Sequence, residues 1–159
     1  MNIKSLMDKK GNQCHSITPD VTMSAAVDKM MQHRIGSLVI VDEANNPISI
    51  ITERDVMFTI HHHGCDIKTT KVSEIMGPKL VTCDVADSIK DAMALMFNND
   101  TGRRVRHLPV MDGDKLIGMV SNGDLLGRIV EETEFENRVM KNYIQNWPEE
   151  DVSESTTTR

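Results

Sequence analysis

Two pentapeptides, Ile51-Thr52-Glu53-Arg54-Asp55 and Val120-Ser121-Asn122-Gly123-Asp124, decide how the rest of the chain is read. Each closes a short apolar run, sets a hydroxyl at its end, places an aspartate three residues later and opens onto a helical pattern. A run rich in β-branched residues that gives way to 3.6-residue periodicity predicts a strand entering a helix. Two such junctions in one chain predict a repeat.

Working outward, each junction is preceded by a strand, a polar turn and a second strand. In the first copy these are Ser37–Val41, Asp42–Pro47 and Ile48–Ile51; in the second they are His107–Met111, Asp112–Lys115 and Leu116–Val120. Before each pair lies an amphipathic helix. Met23, Ala26, Val27, Met30 and Met31 fall at i, i+3, i+4, i+7 and i+8, and Ile89, Ala92, Met93, Met96 and Phe97 do the same. Thr22 and Ser88 stand where a hydroxyl caps the first free N–H groups. Leading strands are expected at Cys14–Thr18 and Lys79–Thr82, near Pro19 and Pro78. The chain therefore divides into a lead segment (1–13), a first repeat (14–71), a second repeat with a C-terminal helix (72–146) and a polar, disordered tail (147–159). Repeats of roughly 60 residues bury too little surface alone, so an α+β module is expected, its two sheets packed about a pseudo-twofold axis.

The composition narrows the function. A net charge of −6, from 24 acids and 18 bases, argues against a dedicated DNA or RNA binder. One Trp, one Tyr and three Phe against twelve Met leave few platforms for stacking bases and a core filled by aliphatics and thioethers. No apolar run reaches membrane length and the first ten residues lack a secretory core, so neither a membrane span nor export is expected. Cys14, Cys65 and Cys83 are odd in number without CxxC spacing, which suits reduced thiols in a cytoplasmic setting. There is no GxxxxGK[ST] loop and no recognisable nucleophile framework, so an enzyme is not expected.

The doubled pattern resembles a pair of cystathionine-β-synthase-type (CBS) domains, the tandem called a Bateman module, in its stand-alone form. Ala26, Gly36–Asp42 and Ile51–Asp55 carry the likeness in copy one. Ala92, Val105–Asp112 and Gly118–Asp124 carry it in copy two, and Val72–Met76 joins them. The likeness runs from about Cys14 to Tyr143. It implies an adenosine-type ligand, AMP, ADP or ATP, with NAD or S-adenosylmethionine as alternatives sharing adenine and ribose. It further implies Thr52 and Ser121 on phosphate, Asp55 and Asp124 on ribose, and the leading and second strands around adenine. The implied contacts are Thr18, Val39, Ile40, Thr52, Arg54 and Asp55 in one cleft. In the other they are Val81, Thr82, Arg106, His107, Leu108, Pro109, Val110, Ser121, Asn122, Gly123 and Asp124. The likeness to the CBS pair of inosine monophosphate dehydrogenase does not extend to that activity, because the catalytic barrel is missing.

The chemistry of the junctions fits two compatible roles. A hydroxyl at a helix start can serve phosphate beside the helix dipole, and a carboxylate accepts from both ribose hydroxyls. The same residues form capping boxes. Gly118 is expected to let a ligand or backbone approach closely, where copy one has Ser49. Arg103, Arg104, Arg106 and His107 are either a polyphosphate-neutralising segment or a solvated loop, the connection Asn98–Arg106 being longer than its counterpart in copy one. His61-His62-His63 before Gly64 reads as a helix C-terminus facing the dipole, because adjacent helical imidazoles diverge by about 100°. No metal is assigned. The last helix, expected over Gly123–Asn146, carries an apolar stripe of Phe135, Val139, Met140, Tyr143, Ile144 and Trp147. That stripe covers either its own module or a second chain. The family resemblance implies a homodimer, with an unknown protein target.

Overall fold

The computed structural model describes residues 2–64, 66–77 and 79–145. Helix α1 spans Ile3–Lys10 and is followed by β1 (Ser16–Ile17), α2 (Met23–His33), β2 (Ser37–Val41), β3 (Pro47–Thr52) and α3 (Glu53–His63). After a 3-10 turn at Asp66–Lys68 come α4 (Val72–Ile75), β4 (Cys83–Asp84), α5 (Ile89–Phe97), β5 (His107–Asp112), β6 (Lys115–Ser121) and α6 (Asn122–Gln145). The tail beyond Gln145, with Trp147, lies outside the described residues, as do Cys65 and Pro78.

Two three-stranded sheets result, ordered β1-β2-β3 and β4-β5-β6. In each the first pair is parallel and the second antiparallel, and the antiparallel register shifts at the matching places Ile40/Val41 and Val110/Met111. Thr22 and Ser88 cap α2 and α5, accepting from the Ala25 and Asp91 N–H groups at 3.2 and 3.0 Å. The architecture is the expected α+β duplication.

The second leading strand is displaced from its expected place. It is Cys83–Asp84, not Lys79–Thr82. Cys83 sits opposite Val110 and is 3% exposed, while the Asp84 N–H donates to Asp87 Oδ2 at 2.8 Å and so fixes the turn that follows. Register against β5 outweighed the local β-propensity of Leu80-Val81-Thr82.

The lead segment contains a helix that the sequence reading did not place. Ile3, Leu6 and Met7, at i, i+3 and i+4, are buried with Cys83, Ile89, Ala92, Met96, Leu108, Val110, Val120 and Leu125, in the core of the second repeat. Val72 of α4 is buried in the opposite core, with Ile17, Met23, Ala26, Met30, Leu38, Ile40 and Ile51. The backbone bonds obey the same exchange. Ile3 N and Lys4 N donate to Asp87 O and Val85 O, each at 2.9 Å, whereas Val72 N and Ser73 N donate to Val21 O and Pro19 O, each at 2.9 Å. Each repeat is thus completed by the helix that precedes the other.

Gly118 shows what this exchange requires locally. A Cβ there would lie 2.2 Å from Met7 Cε, so the space left by glycine receives α1 and not a ligand. In the first repeat Ser49 meets the chain entering the second, its hydroxyl donating to Gly77 O at 3.1 Å. Among the described residues no helix is long and apolar enough to cross a membrane.

Candidate functional site

The two junctions have closely matched backbones. Glu53 N donates to Gly36 O at 3.0 Å and Asn122 N to Arg106 O at 2.9 Å, tying each helix start to the residue before β2 or β5. In the first, Thr52 N and Oγ1 donate to Asp55 Oδ2 at 2.7 and 2.8 Å. In the second, Ser121 N and Oγ donate to Asp124 Oδ2, both at 2.7 Å, and Asp124 N returns a bond to Ser121 Oγ at 3.2 Å. Carboxylate caps are therefore formed at both helix starts, and all four side chains remain half-buried at the surface.

The second junction has a neighbour from a distant part of the chain. Lys10 Nζ, at the end of α1, lies 2.5 Å from Asp124 Oδ2 and donates to Met119 O at 3.0 Å. Burial opposes ionisation of Asp124, but the bonds from Lys10 and Ser121 outweigh it and hold the carboxyl below its ordinary range. His107 stands beside this pair, its Nδ1 buried without a hydrogen-bond partner. Burial and the charge of Lys10 lower its pKa, against the pull of Asp124 and Glu53, so the imidazole is neutral at pH 7.

The Asp124 clamp has a definite pH dependence. A carboxyl depressed in the folded state contributes stability above its unfolded pKa of 3.8, and that contribution is lost as pH falls through the lower folded value. Asp124→Asn is expected to lower Tm at pH 7 and to flatten the fall of Tm below about pH 4. A thermal-melt series against pH checks this; an acid limb as steep as the parent's argues against the clamp.

The other expected contacts divide by location. Val39, Ile40, Leu108 and Val110 are 0% exposed, and Pro109 is buried, so their side chains lie inside the fold. Ile40 belongs to the first core and Leu108 and Val110 to the second. Thr18 is exposed and its hydroxyl donates to the Asp20 carboxylate. Arg54, Arg106, Asn122 and Gly123 are exposed beside the junctions.

Val81 and Thr82 line a cleft of about 490 Å³ with Leu95 and the loop Asn98–Thr101. Thr82 also borders a cleft of about 820 Å³ between the hairpin turns of the two repeats, with Asn46, Pro47, Met111, Gly113 and Asp114. Neither cleft is lined by Thr52, Asp55, Ser121 or Asp124. The long connection in the second repeat is internally tied, Asn99 Nδ2 donating to Leu95 O at 3.0 Å and Arg103 O at 2.9 Å. Arg104 lies over the Phe97 ring at 5.6 Å.

Sequence reasoning did not find Lys10, whose contact with Asp124 links opposite ends of the described chain. Nor did it find Glu53, whose carboxylate lies 3.0–3.2 Å from where a Cβ on Gly36 would be.

Comparison with known proteins agrees with the duplicated architecture. The sequence profile described as "CBS domain" matches residues 3–62 and 72–131. The mitochondrial CBS domain-containing protein CBSX3 of Arabidopsis thaliana is 38% identical over 151 residues, covering 90% of this chain and 71% of that one. Among solved structures, the CBS-domain containing protein ATU1752 from Agrobacterium tumefaciens superposes with a TM-score of 0.74 at 30% identity, over 80% of this chain and 98% of that one. The CBS domain pair of protein MJ0100, solved with 5′-methylthioadenosine and S-adenosyl-L-methionine, shares the fold with a TM-score of 0.66 at 20% identity, over 84% and 98%.

Proposed function

The chain belongs to the CBS-domain family as a tandem pair, and from that premise we propose that it is a non-catalytic sensor binding AMP, ADP or ATP at its two strand-to-helix junctions. The observation carrying this reading is the repetition of one polar arrangement in two half-buried places: Thr52 with Asp55, and Ser121 with Asp124. Each offers a hydroxyl and a carboxylate at a helix start, the groups suited to phosphate and ribose. NAD and S-adenosylmethionine share the adenosine moiety and remain alternatives. The CBS pair of MJ0100, solved with 5′-methylthioadenosine and S-adenosyl-L-methionine, supports an adenosine-type ligand.

The sensing reading places the protein in the cytoplasm, where Cys14 and Cys83 stay as thiols, and gives it a protein target that reads the bound state. Signalling requires that the ligand favour one of two arrangements of the repeats or of paired copies. A homodimer is supported by the large apolar side chains exposed on α3 and α6.

The test is calorimetric titration of the full, nucleotide-free chain with AMP, ADP, ATP, NAD and S-adenosylmethionine. At least one is expected to bind at micromolar concentration, and Asp55→Ala and Asp124→Ala are each expected to weaken one site about tenfold or more. Unchanged affinity in both variants refutes the ribose assignment. Absence of binding by folded parent protein favours a ligand-free docking adaptor.

A further inference from the structure

The two junctions share a backbone but not a charge. At the first, the residue tied to the helix start is Gly36, and the Glu53 carboxylate folds over it. At the second, the matching residues are Arg106 and Asn122, and Lys10 joins from α1. Asp55 Oδ2 accepts from Thr52, whereas Asp124 Oδ2 accepts both from Ser121 and from the Lys10 ammonium. A neutral ribose approaching Asp124 competes with an existing ion pair. A ligand that also brings a phosphate offers Lys10 another anion when that pair opens. Lys10 Nζ and Ser121 Oγ bond the same carboxylate oxygen, so a phosphate received by the hydroxyl is within reach of the ammonium.

We propose that Lys10 is a specificity-determining residue that makes the second junction select phosphorylated nucleotides over uncharged nucleosides, while the first, where among the described residues no lysine or arginine is bonded to the Asp55 carboxylate, does not. This rests on the ribose reading of Asp55 and Asp124 given above. It assigns different ligand classes to sites that their motifs make look equivalent.

The test compares adenosine with ATP by calorimetry on full-length protein carrying Asp55→Ala, so that the second junction is read alone. ATP is expected to bind about tenfold or more tighter than adenosine, since a charge-assisted bond adds to the neutral ones. Adding Lys10→Gln should bring the two affinities within about threefold, and Lys10→Arg should restore the preference. Lys9→Gln is the control: Lys9 pairs with Glu131, on the same two helices, and its loss should leave the ratio unchanged. A ratio that survives Lys10→Gln, with both ligands still binding, overturns the role of Lys10 alone. Failure of both ligands to bind any variant overturns it together with the nucleotide reading.

Discussion

Substituting Ile3 with aspartate is expected to unfold the second repeat first, although Ile3 precedes the first repeat in sequence. Its side chain is 0% exposed among Leu108, Val110, Val120 and their neighbours in the apolar core of the second repeat. Truncation to alanine should cost about 2–5 kcal/mol through lost burial and the cavity left behind. A buried carboxylate costs more, because it must be desolvated without compensation. Against a typical total stability of about 5–15 kcal/mol, either change is large. Val72→Asp is the mirror experiment and should expose the first core. Native-state hydrogen exchange checks both: protection should fall first in β5 and β6 for Ile3→Asp, and first in β2 and β3 for Val72→Asp. Loss confined to the repeat adjacent in sequence contradicts the exchange.

The second large effect concerns assembly. Phe135, Val139, Met140 and Ile144 are 51–67% exposed along α6, and Met57, Phe58 and Ile60 are 44–69% exposed on α3. Glutamate at both Val139 and Ile144 should convert the expected dimer to monomer at micromolar concentration, a weakening of about a hundredfold or more. Two charges buried without partners at an interface are strongly unfavourable. The fold of one chain should hold, since substitutions at exposed positions usually change stability by no more than about 0.5 kcal/mol. Sedimentation velocity with a melting curve separates these outcomes. A double variant that still sediments as a dimer, or a monomeric parent, places the interface elsewhere or removes it.

The repeat was readable in the sequence because its signals are local. β-branched runs, capping hydroxyls and the periodicity of Met23–Met31 and Ile89–Phe97 each need only a few consecutive residues. The exchanged helix was less visible. Asn2 ahead of Ile3, Leu6 and Met7 is a valid start signal, its Oδ1 accepting from Ser5 N at 3.1 Å, but the apolar pattern covers little more than one turn. Nothing in that turn names the core it enters. β4 was misplaced for a related reason, since pairing with β5 fixes a two-residue strand that its own residues do not. The hydroxyl–carboxylate junctions were legible as motifs. The difference in charge between them arises from Lys10 and from the fold of Glu53 over Gly36, both tertiary placements.

The exchange of lead helices also determines how the molecule can be divided. A cut between α3 and α4 yields two fragments, each holding a core whose missing helix is carried by the other. Neither half is a self-sufficient unit, yet the pair contains every piece and should reassemble by fragment complementation when mixed.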